Sequence, residues 1–69
     1  MKDNLFKENF KSLRIEKGIG QVELAKQIGV SKGLISLWEN GLREPTMSSL
    51  IALSLYFKVT IDYLVGLEN

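Results

Sequence analysis

Gln21-Val22-Glu23-Leu24-Ala25-Lys26-Gln27-Ile28-Gly29-Val30-Ser31-Lys32-Gly33-Leu34-Ile35-Ser36-Leu37-Trp38-Glu39-Asn40 decides the fold. Leu24, Ala25 and Ile28 share one helical stripe, and Ile35 and Trp38 share another. Only Gly29-Val30-Ser31 separates the two segments, so two short helices must cross steeply, as in a helix-turn-helix. Such a crossing needs a small residue where the helices touch, and Ala25 supplies it. It needs a turn residue that accepts a left-handed backbone, and Gly29 stands four positions on. It needs an apolar residue aimed into the crossing, and Ile35 follows six positions later. Ser31 is placed to cap the second helix.

Outward from this core, Gly and Pro divide the rest of the chain into three more helical segments. Phe6, Phe10 and Leu13 form the stripe of a first helix over about Leu5 to Lys17, which Gly18 stops. The helix from Lys32 is expected to run to Asn40, where Asn40-Gly41 closes it. Pro45-Thr46 opens a fourth helix with Leu50, Leu53, Ser54 and Phe57 inward. A fifth follows Thr60, with Ile61, Leu64 and Val65, and ends at Gly66. Asp62 lies in its first turn, where the helix dipole favours a negative charge. No segment alternates as a strand does. The expectation is one all-α domain of five short helices over residues 1–69.

Composition narrows the function. Sixty-nine residues allow one domain, burying about 60% of the surface that the unfolded chain exposes. With no Cys and no His, the chain has no disulfide, no structural zinc set and neither of the most versatile catalytic side chains. An enzyme, a metal site and a cofactor are not expected. The apolar runs are far shorter than the roughly 20 residues that span a bilayer, and the N-terminus does not read as a signal peptide. A soluble, cytoplasmic protein is expected. Net charge is only +1. Residues 1–43, however, hold eight basic and five acidic residues, a net of +3, against one and three, a net of −2, in residues 44–69. The basic half contains the two crossed helices.

Leu13-Arg14-Ile15-Glu16-Lys17-Gly18-Ile19-Gly20-Gln21-Val22-Glu23-Leu24-Ala25 resembles the opening of the phage-repressor and Cro-like (XRE-type) helix-turn-helix family. Gly29-Val30-Ser31, Ile35-Ser36, Trp38-Glu39-Asn40-Gly41, Arg43-Glu44-Pro45 and Ile61-Asp62-Tyr63-Leu64-Val65-Gly66 continue the resemblance, which covers roughly residues 6–66. It implies a lambda-repressor-like fold and a regulator of transcription, more often a repressor, acting as a homodimer on a palindromic duplex-DNA operator.

The resemblance also implies roles. Ser31, Lys32, Gly33, Ser36 and Leu37 would face the bases in the major groove. Lys32 suits guanine O6/N7, and Leu37 suits a thymine methyl. Gln21, Asn40 and Arg43 would hold phosphates. Arg14 and Glu39 match a structural ion pair. Leu55, Tyr56, Tyr63, Val65 and Leu67 exceed what the core needs, and as a group they suggest a dimer patch. The chain departs from the pattern at Gly20, where a capping side chain is usual, and at Lys58, where Gly usually ends the fourth helix. The Gly33/Leu34/Leu37 face is poor in hydrogen-bonding groups. That leaves open readout by methyl contact and DNA shape, or use of the fold as a protein-interaction module, antitoxin-like or docked on a partner. The charge distribution favours DNA. Whether the chain is a complete regulator or the N-terminal part of a longer one is open.

Overall fold

A computed structural model describes residues 5–67. Five helices follow in order: α1 Phe6–Lys17, α2 Gln21–Ile28, α3 Lys32–Glu39, α4 Met47–Phe57 and α5 Ile61–Val65. The described residues contain no strand. The boundaries agree with the sequence pattern to within a residue. At the end of α3 the difference is Asn40, which leaves the helical path and serves as its cap.

Side-chain chemistry starts three of the helices. The hydroxyls of Ser31, Thr46 and Thr60 accept from the backbone N–H of Leu34, Ser49 and Tyr63, respectively, at 3.0–3.1 Å. Each such cap stabilises its helix by about 1 kcal/mol. Gly20 precedes α2 with no side-chain cap, so the first N–H groups of α2 are left for another acceptor.

One apolar core holds the helices together. Phe6 and Phe10 of α1, Leu24 and Ala25 of α2, Ile35 and Trp38 of α3, Leu50 and Leu53 of α4 and Leu64 of α5 are all buried. Aromatic rings form its centre. Phe6 and Phe10 stack at 5.3 Å between centroids, and both meet Trp38 edge-on, at 6.3 and 5.7 Å. Edge-to-face geometry places the positive rim of one ring on the negative face of another. Through Trp38, α3 is therefore anchored to α1 as well as to α2.

Two backbone positions define the turns. Gly29 has φ +75°, the left-handed conformation that the three-residue turn requires. Lys58 ends α4 with φ +58°, and among the described residues it is the non-glycine with positive φ. The chain after it is secured by Ser54, whose hydroxyl donates to the Val59 carbonyl.

Candidate nucleic-acid interface

Beside the core, a polar network joins three helices. Arg14 Nε donates to Glu39 Oε2 at 2.5 Å, and Arg14 Nη2 donates to Glu39 Oε1 at 3.2 Å. Arg14 Nη1 donates to the Ile19 carbonyl at 2.9 Å. Gln21 Nε2 donates to Glu39 Oε1 at 3.0 Å. The two charged side chains are only 15% and 5% exposed, so their paired, bidentate geometry matters for stability. The network also sets geometry. It ties the first residue of α2 to the last of α3, fixing the uncapped end of α2 relative to the turn that follows α3.

The side chain of Gln21, expected from the sequence to hold a phosphate, also serves within the protein. One of its amide hydrogens is held by Glu39, and the residue is half-buried. The spacing of residues 21 and 39 carried no signal for this contact, because the steep crossing of α2 and α3 creates it. Asn40 is similarly engaged. Its Nδ2 donates to the Ser36 carbonyl at 2.9 Å and approaches Ser36 Oγ at 3.4 Å, closing the last turn of α3.

On the outer side of α3, Ser31, Lys32 and Gly33 are exposed, while Ser36 and Leu37 are half-buried. The cap leaves the hydroxyl hydrogen of Ser31 free to donate. Gly33 has no packing reason to be glycine. A Cβ placed there would meet only Ser31 Oγ, at 3.9 Å. Leu34 turns inward against the core, so the apolar docking face expected from Gly33, Leu34 and Leu37 is narrower than the sequence implied. Arg43 is exposed in the turn between α3 and α4.

The five residues expected as a dimer patch do not form one exposed surface. Leu55 and Leu67 are 74% and 77% exposed. Tyr56 and Val65 instead pack against the core, and Lys17 Nζ lies 5.0 Å above the Tyr56 ring. Tyr63 is half-buried, and its carbonyl accepts from Asn9 Nδ2 at 3.0 Å. α5 packs against both α1 and α4, and its Ile61, Leu64 and Val65 face the core. A different apolar row stands on α4: Met47, Ile51 and Leu55, at i, i+4 and i+8, are all exposed. Helical spacing makes that row visible in the sequence once the buried side of α4 is known.

Among the described residues, no cluster of His, Cys, Asp or Glu suits a metal ion, and no helix is long and apolar enough to cross a membrane.

Comparison with known proteins places this architecture. The helix-turn-helix family model matches residues 10–64. The chain is 44% identical over 64 residues to the HTH-type transcriptional activator BcrR of Enterococcus faecalis, covering 93% of this chain and 31% of that protein. It is 37% identical over 65 residues to the repressor protein C2 of Salmonella phage P22, covering 94% of this chain and 30% of that protein. Among solved structures, the P22 c2 repressor in complex with a synthetic operator superposes with a TM-score of 0.86 at 35% identity, over 91% of this chain and 96% of that one. A transcriptional regulator from Listeria innocua superposes with a TM-score of 0.88 at 30% identity, over 96% of this chain and 62% of that one. The chain thus spans about a third of the length of BcrR and C2.

Proposed function

The chain belongs to the helix-turn-helix family of the phage-repressor type, and from that membership we propose that it is a transcriptional regulator that binds duplex DNA through α3. The observation that carries this reading is the Arg14–Glu39–Gln21 network. It holds the uncapped start of α2 against the end of α3, while the start of α3 stays exposed. A duplex needs backbone anchors fixed relative to the element that enters the major groove.

In this reading the backbone N–H groups at the start of α2, the remaining amide hydrogen of Gln21, Asn40 and Arg43 meet phosphates. Lys32 and Ser36 reach base edges, and Leu37 meets a thymine methyl. Ser31 donates its free hydroxyl hydrogen, and Gly33 lets the groove wall come close. The relatives include an activator and repressors; repression by occupying an operator is the simpler mechanism for a domain of this size. The protein acts as a homodimer on a palindromic site, with Leu55 and Leu67 as the exposed members of the contact.

Selection from a randomised duplex library at near-physiological salt tests the proposal. An enriched palindrome is the expected result, and its half-site spacing of about one helical turn or a multiple reports the dimer geometry. Weak binding without an enriched sequence, abolished by modest salt, would overturn it.

A further inference from the structure

Lys7 lies across the turn that joins α3 to α4. A Cβ built on Gly41 would stand 3.0 Å from Lys7 Cδ, 3.7 Å from Cε and 3.5 Å from Nζ. The aliphatic stem therefore crosses the Gly41 backbone and sets the ammonium on the turn that carries Asn40 and Arg43. Lys7 belongs to α1, more than thirty positions earlier in the chain, so nothing in the local sequence links it to this turn.

The turn leaves room for it. Gly41 has φ +71°, and its N–H donates to the Trp38 carbonyl at 3.2 Å, while the Leu42 N–H donates to the Leu37 carbonyl at 2.9 Å. This closure needs a left-handed residue, and its lack of a side chain opens the path that Lys7 takes. Lys7 is exposed and forms no ion pair among the described residues. The acidic residues nearest in sequence are Glu8, beside Lys7 on α1, and Glu39 and Glu44 on either side of the turn; Glu39 is paired with Arg14, and Glu8 and Glu44 are exposed.

We propose that Lys7 is a phosphate-binding residue of the DNA interface, delivered by α1 to the α3–α4 turn to act beside Arg43. This rests on the DNA-binding reading above. An ammonium is a compact point charge that needs no fixed geometry to neutralise a phosphate. At physiological salt, charges interact over about 8 Å, so an ammonium held against this turn acts on any phosphate that the turn approaches. Lys7 also belongs to the basic excess of residues 1–43, and its position puts that charge where α3 is flanked.

The test measures binding of the whole chain to a short random-sequence duplex across a salt series, for wild type, Lys7→Gln and Lys7→Arg. Loss of one phosphate contact lowers the slope of log affinity against log salt by about 0.9. The wild-type advantage over Lys7→Gln should then shrink about three- to fourfold between roughly 50 and 200 mM salt. Lys7→Arg, which keeps the charge, should keep the wild-type slope. An unchanged slope in Lys7→Gln would overturn the proposal. A lowered melting temperature beside it would make Lys7 a cation serving the C-terminal end of the α3 dipole. Wild-type affinity that did not depend on salt would overturn the DNA reading itself, and this proposal with it.

Discussion

Arg14 and Glu39, twenty-five positions apart, meet in a two-bonded ion pair at the edge of the core, and Glu39 also accepts from Gln21. One carboxylate thus organises α1, α2 and α3. Removing it as Glu39→Ala leaves the Arg14 guanidinium poorly exposed and without its counter-charge. We expect a loss of about 2–4 kcal/mol in urea unfolding, somewhat less than for a fully buried pair. Glu39→Gln keeps an acceptor and should cost less. Equal losses for the two variants would show that charge, not hydrogen bonding, dominates the network.

Gly33 sits in the first turn of α3, with open space where a side chain would be. Glycine inside a helix is less stable than alanine by about 0.5–1 kcal/mol. Gly33→Ala should therefore raise the unfolding free energy by about that amount while weakening DNA binding, because in the proposed interface the added methyl would stand between the helix and the groove. Thermal melting and DNA titration on the same sample check both halves. A variant that is stabilised and binds DNA unchanged would remove Gly33 from the interface.

Lys58 holds a left-handed conformation that costs a side-chain-bearing residue about 1 kcal/mol. Lys58→Gly should recover about 0.5–1 kcal/mol, a rise of several degrees in the melting temperature of a domain this small. Lys58→Ala should give no such gain, and a comparable rise would show that the lysine charge, not the backbone, is unfavourable there.

Arg43 and Leu37 should separate positioning from reading. Arg43→Gln is expected to weaken binding to all duplexes alike and to reduce the salt slope by about 0.9. Leu37→Ala and Ser36→Ala should instead alter which sequences a selection recovers, at about 1–3 kcal/mol per affected base pair. The comparison fails if both classes of variant move affinity and preference in the same way.

The exposed Met47–Ile51–Leu55 row lies on a helix that carries no charged residue in its eleven positions. If this face supports self-association, Ile51→Lys and Leu55→Lys should shift sedimentation toward the monomer and leave helical content unchanged. A wild-type chain that sediments as a monomer even on its DNA site would remove the two-fold model.

Much of this protein is legible in its residues alone. The register Ala25, Gly29, Ile35 defines the crossing of α2 and α3, since a three-residue turn permits only a small residue, a left-handed residue and an apolar residue at those places. Ser31, Thr46 and Thr60 mark helix starts because capping is a local hydrogen bond, formed within three residues. Helical periodicity likewise identifies Phe6, Phe10, Trp38 and Leu53 as core. The outward side chains are decided otherwise. That Gln21 leans on Glu39, that Lys7 crosses Gly41, and that Tyr56 and Val65 pack inward while Met47 and Ile51 stay exposed all depend on how separate helices are juxtaposed. A helix period gives each residue a direction around its own axis, but which direction meets solvent is set by the neighbouring helices, and only the assembled core supplies them.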